Sequence, residues 1–158
     1  MDRLMLGYDY KFYSDVGVKI FIYAPIGHLI VVGGSGSGKS TSILYWIYKL
    51  KSQYCKLYIV DFKASHEFEG ITDKERFGEF EDAYDVILRF YDEFMNTPEG
   101  GEECYKILLI DESAGLLTHY SMSKDGKAKA DKIRNIMSSI LMLGRSRKCF
   151  LWLSMQRY

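Results

Sequence analysis

Eight residues, Gly33-Gly34-Ser35-Gly36-Ser37-Gly38-Lys39-Ser40, follow the pattern G-x-x-x-x-G-K-[ST], and residues of these types at this spacing can hold a polyphosphate. The glycines let consecutive backbone N–H groups turn inward without Cβ clashes, so the segment can form an anion nest. A helix N-terminus directly behind it would add positive potential. In such a loop Gly33, Gly34, Ser35, Gly36, Ser37, Gly38 and Thr41 line the phosphates, Lys39 reaches the β- and γ-phosphates, and the Ser40 hydroxyl holds Mg²⁺. A glycine-rich linker containing Gly-Lys-Ser is the competing interpretation. At average composition the pattern arises by chance in fewer than roughly one chain in a hundred of this length.

A second constellation lies about seventy residues downstream. Ile107-Leu108-Leu109-Ile110 is followed by Asp111-Glu112. A buried strand of this kind delivers an aspartate to the Mg²⁺ sphere, and the next carboxylate can orient or deprotonate an attacking water. Many strands end in an acidic residue, so the signal is specific only when paired with the phosphate loop. Other chemistry finds less support. His28, His66 and His119 do not cluster with cysteines at metal-ligand spacing. Ser113 lacks the G-x-S-x-G context of a nucleophile.

The elements that must position these groups read as alternating strands and helices. The apolar run 29–32 enters the phosphate loop as a strand, and 39–53 leaves it as a helix with Ile43, Leu44, Ile47 and Leu50 at helical spacing. Strands are expected at 18–23, Cys55–Asp61, Tyr105–Asp111 and 149–154. Residues 64–78 give mixed signals and are expected to be irregular with a short helix. Phe80, Tyr84, Ile87, Leu88, Tyr91 and Phe94 define an amphipathic helix over 79–96, their stripe facing the core. A polar loop is expected at 118–126, then a helix over 127–143. This order predicts an α/β fold with a mostly parallel sheet flanked by helices, and ligands at the carboxyl ends of its strands.

At 158 residues, 47% of them hydrophobic and 27% charged, the chain is expected to form one domain over 1–158, with 1–17 as an N-terminal extension. It stops directly after a strand-end motif, which raises the expectation that more of the domain follows. No apolar run approaches the ~20 residues of a bilayer span, and the N-terminus turns polar too soon for a signal peptide. Cys55, Cys104 and Cys149 are odd in number without C-x-x-C spacing, as in a reducing compartment. A cytoplasmic location is expected. The zero net charge conceals an asymmetry. Residues 124–158 carry nine Lys/Arg against Asp125 and Asp131, for a net +7, and the rest of the chain balances it. Such a basic third suits a nucleic-acid surface, or equally a solvated helix face.

Four blocks resemble one family. His28 to Ser40 is similar to the H-L-L-V-A-G-x-T-G-S-G-K-S segment of FtsK/SpoIIIE DNA translocases. Val60-Asp61-Phe62-Lys63 is similar to its D-P-K strand end, with Phe62 in place of proline. Gly144-Arg145-Ser146-Arg147, then Leu151 to Tyr158, resembles G-R-A-x-G-x-x-L-x-x-A-T-Q-R-P, with Lys148 for glycine, Met155 for threonine and Tyr158 for proline. The resemblance implies a RecA-like P-loop ATPase of the division with an added catalytic glutamate. In that division a further strand, here 149–154, lies between the two nucleotide-binding strands. It also implies ATP and Mg²⁺ as ligands, Lys39, Glu112 and Gln156 as catalytic residues, and Ser40 and Asp111 as metal-holding residues. Gln156 would sense the γ-phosphate. Arg145, with Arg157 as a further candidate, would contact a neighbouring subunit's nucleotide, because such motors are rings, commonly hexamers, that move double-stranded DNA. The departures suggest a divergent relative from a plasmid, conjugative element or phage. A small-molecule or nucleoside kinase and a nucleotide-gated binding module are the alternatives. The absence of an N-K-x-D motif argues against a GTPase switch.

Overall fold

The computed structural model describes residues 3–50, 55–100 and 104–156. Its centre is a five-stranded, wholly parallel sheet in the order β3-β7-β6-β4-β5. These strands are β3 (Leu29–Val32), β4 (Cys55–Asp61), β5 (Phe77–Glu79), β6 (Tyr105–Asp111) and β7 (Cys149–Met155). The position of β7, between β3 and β6, is the one that the added-glutamate division of ATPases requires. Strands buried on both faces read as unbroken apolar runs, and β6 obeys this rule. Ile107 and Leu109 point into one core with Ile43, Ile47 and Leu50 of helix α2 (Lys39–Leu50). Leu108 and Ile110 point into the other, against α3 (Ala83–Asn96), α4 (Ser113–Ser121) and α5 (Lys124–Leu143). All four strand residues are fully buried.

β1 (Arg3–Tyr8) pairs antiparallel with β2 (Phe21–Pro25) in a separate two-stranded sheet, and α1 (Tyr10–Val16) bridges them. Asp9 caps α1 by accepting from the Phe12 N–H, and Gly17 ends it at φ 78°. Leu4 is buried among α2 residues, and Trp46 Nε1 donates to the Leu6 carbonyl at 2.9 Å. The strand expected at 18–23 lies at 21–25.

Three further boundaries differ from expectation. Residues 64–76 hold no helix, and Phe77–Glu79 add a short edge strand beside β4. The helix expected from 79 begins at Ala83, because Glu79 belongs to β5 and Phe80 sits at φ 29°. The polar loop expected at 118–126 is mostly helical, broken only at Met122 and Ser123. The Thr118 and Ser121 hydroxyls donate to carbonyls one turn back, so polar residues sit in α4 without unmet bonds. Ser123 restarts the chain as N-cap of α5. A Cβ at Gly126 would run into the Tyr120 carbonyl, which is why a glycine stands in this helix. The α2 helix expected to reach residue 53 is described to Leu50; 51–54 lie outside the described residues. Among the described residues no helix is long and apolar enough to cross a membrane.

The amino-terminal edge of the sheet is tied by charge. Glu93 on α3 accepts from Lys56 Nζ at 2.6 Å, pairs with the buried Lys106 at 3.3 Å and accepts from the Tyr58 hydroxyl. Burial alone would raise the Glu93 pKa, but the Lys56 and Tyr58 bonds outweigh it and hold the group below its ordinary value. A depressed carboxyl stabilises the fold above its unfolded pKa and loses that contribution as pH falls through the folded one. Glu93→Gln is therefore expected to lower the melting temperature more at pH 7 than at pH 3, read by thermal denaturation at both. Equal losses at the two pH values would refute the charge coupling.

Candidate nucleotide site

The chain leaves β3 at Val32 and turns through the glycine-rich segment before α2 begins at Lys39. Gly36 and Gly38 adopt φ 71° and 83°, left-handed backbone that favours glycine. Gly33 contributes differently: a Cβ there would approach Ser37 Oγ to 2.6 Å and make that hydroxyl turn away. Lys39 folds back over the turn, its Nζ donating to the Gly33 and Gly34 carbonyls at 2.9 Å each.

The acidic end of β6 faces this loop. Asp111 is the last strand residue, 6% exposed, and Glu112, 4% exposed, turns the chain into α4 at φ 54°. A left-handed non-glycine at a strand-to-helix turn is stored strain of the kind found at functional positions. Burial raises the Asp111 pKa; the Ser154 hydroxyl opposes that rise, while the Asp61 and Glu112 charges reinforce it. Asp61 is the cross-strand partner of Asp111 in the β4–β6 ladder and is wholly buried. It accepts from Ser65 Oγ at 2.9 Å through Oδ2, while its Oδ1 has no hydrogen-bond partner among the described residues. Lys63 forms an ion pair with Glu112 at 3.1 Å.

One cavity of about 310 Å³ gathers these groups: the loop from Ser35 to Thr41 forms one wall, Asp111, Glu112 and Lys63 the other, and Gln156 closes the end. Lys39, Ser40, Asp111, Glu112 and Gln156, which the sequence singled out separately, thus share one space. Gly33 and Gly34 shape the loop's entry and accept from Lys39. Ser65 and Glu67 also reach the cavity; nothing in their spacing announced them. Lys63 was visible only as part of the D-F-K strand end.

A divalent cation fits this donor set. Two buried aspartates sit side by side, one with an unpartnered oxygen and the other with its charged form disfavoured, while the lysines of the cavity bond the loop carbonyls (Lys39) and Glu112 (Lys63). Arg145 lies elsewhere. It is exposed on the 3₁₀ turn Gly144–Arg147, before the amino end of β7. The length of β7 puts it roughly 20 Å from its own phosphate loop. Arg147, its neighbour, caps α3 by donating to the Phe94, Met95 and Thr97 carbonyls. Lys148 takes φ 53° where the resembling family has glycine. Arg157 lies outside the described residues. His28 accepts from the Leu151 N–H at 3.1 Å, a packing role at the start of β3.

No protein-family model matches the chain, and no curated protein matches it. Solved structures do. The pCW3 conjugation coupling protein TcpA, in its monomer form with ATPγS, matches with a TM-score of 0.75 and 22% identity, over 98% of this chain and 48% of that one. The cytoplasmic domain of the Thermomonospora curvata type VII secretion ATPase EccC matches with a TM-score of 0.67 and 19% identity, over 99% and 21%. The cytoplasmic domain of EssC matches with a TM-score of 0.65 and 15% identity, over 99% and 32%. The chain thus spans less than half the length of each. With its wholly parallel sheet and its phosphate loop facing an Asp-Glu strand end, the chain shares its fold with these TcpA, EccC and EssC domains.

Proposed function

We propose that this chain hydrolyses ATP and uses the energy to move DNA. The observation that carries the reading is the convergence of the Gly33–Ser40 loop, the Asp111-Glu112 pair and Gln156 on one cavity. Ser40 and Asp111 would hold Mg²⁺, which supplies neutralising charge for the phosphates. The loop N–H groups and Lys39 bind the triphosphate tail, Lys39 exchanging its two carbonyl partners for phosphate oxygens. Glu112 positions water and accepts its proton, with Lys63 orienting the carboxylate. Hydrolysis then rests on placement and electrostatics rather than covalent chemistry. Gln156, leaving β7 beside β3, is placed to register whether the γ-phosphate is present. A buried glutamate at the strand end favours water over a small acceptor, and so hydrolysis over a kinase reaction.

Assembly into a ring, a hexamer in the resembling family, would give the exposed Arg145 a role: it is too far from its own loop but free to reach a neighbour's. Lys124, Lys127, Lys129, Lys132 and Arg134 are all exposed on α5, a basic face for double-stranded DNA. The likeness to a conjugation coupling protein supports DNA as the load. The likeness to a type VII secretion ATPase favours a second reading, in which the load is a polypeptide.

ATP turnover with and without double-stranded DNA tests these points. Lys39→Ala is expected to lose nucleotide binding and turnover. Glu112→Gln is expected to bind ATP normally but to hydrolyse it at least a hundredfold more slowly; unchanged turnover would remove the water-activating role. Double-stranded DNA is expected to stimulate wild-type turnover, the effect fading as salt rises from 50 to 200 mM. Lys127→Glu/Lys132→Glu should lose most of that stimulation while keeping basal turnover. Indifference to DNA would leave the polypeptide reading standing.

A further inference from the structure

A second groove, of about 500 Å³, opens beside the phosphate cavity and shares Ser37, Gly38 and Thr41 with it. Its far wall belongs to the N-terminal hairpin: Leu6, Gly7 and Tyr8 of β1 face Tyr45 and Trp46 of α2. Ser37, Gly38 and Thr41 border both spaces, one polar and lined by the phosphate loop, the other lined by aromatic side chains. We infer that the β1–β2 hairpin is the base-binding part of the nucleotide site, holding the base of the triphosphate between Tyr8 and Tyr45.

The inference rests on the ATPase reading and follows from the adjacency of the two spaces. A nucleotide whose phosphates lie in the loop must leave it past one of the loop's flanks. The flank toward β6 is taken by Asp111, Glu112 and Lys63, while the flank past Thr41 opens into this groove. The groove offers what a base requires, flat aromatic surface, with Lys19 over the Tyr8 ring and Lys49 over the Tyr45 ring each taking one face. Tyr8 and Tyr45 are 38% and 37% exposed, so neither ring is used up by the core. Tyr8 is braced from behind by Tyr13, edge-on at 5.5 Å, and by Lys19, 5.0 Å from its ring centre. The strand register shifts between Met5 and Gly7, and a Cβ at Gly7 would meet nothing, which leaves the floor clear. Trp46 fixes the hairpin to α2 through its bond to the Leu6 carbonyl and places an indole at the groove wall. Recognition by stacking favours the larger purine face and discriminates weakly between adenine and guanine.

Calorimetry of Mg·ATP and Mg·tripolyphosphate binding to the wild-type chain, and to Tyr8→Ala/Tyr45→Ala and Tyr8→Phe/Tyr45→Phe, tests this. The wild type is expected to bind ATP at least tenfold more tightly than tripolyphosphate, and GTP within about fivefold of ATP. The alanine pair is expected to lose that tenfold and to keep its tripolyphosphate affinity. The phenylalanine pair should behave as wild type. ATP, and not tripolyphosphate, should also change the emission of Trp46, a change absent in Trp46→Phe. Equal wild-type affinity for ATP and tripolyphosphate would overturn the inference, as would an alanine pair with unaltered ATP affinity. A wild type that binds neither ligand would instead remove the phosphate site itself.

Discussion

The burial of β6 on both faces is the constraint from which the site follows. The four apolar residues are bounded by Lys106 and Asp111, so a slip by one would draw a charged group into the sheet's apolar interior. Asp111 is therefore fixed at the sheet's carboxyl edge by hydrophobic packing several residues away. The same ladder fixes β7 alongside, and β7 in turn holds β3 and its loop. Phosphate cradle, carboxylate pair and Gln156 meet because three parallel strands end together. A cavity at the end of such strands is where open α/β sheets place their ligands.

Charge at this edge is left out of balance by design of the strand ends. Asp61, Asp111 and Glu112 are nearly or wholly buried; Lys63 pairs with Glu112 and Lys39 bonds the loop carbonyls, and among the described residues no ion pair reaches the two aspartates. Burying three carboxylates this closely costs several kcal/mol unless a cation offsets it. The raised Asp111 pKa and the unpartnered Asp61 oxygen express the same deficit. At the opposite edge of the sheet the account closes: Glu93 meets Lys56, Lys106 and Tyr58. The contrast separates an edge built for stability from one built to receive a ligand.

Much of this was legible in the amino-acid order, because it depends on short-range rules. The phosphate loop, the apolar runs of β4 and β6, and the stripe of α3 each carry their own signal. The place of β7 was readable only through the resemblance, since strand order is a long-range property. What escaped had local signals that misled. β1 is short, its register shifts between Met5 and Gly7, and it drew no strand expectation. α4 carries serines, a threonine and a glycine, which suggest a loop until their hydroxyls are seen bonding within the helix. β5 is three residues long and exists because β4 offers an edge. Lys63 and Ser65 belong to a turn with no periodicity, so their approach to Glu112 and Asp61 could not be anticipated from spacing.

Lys39 closes its loop on itself, with two carbonyls standing in for phosphate oxygens. The anion site is consequently already shaped before any anion arrives. Capture becomes a swap of acceptors around one ammonium group, with little loss of chain freedom.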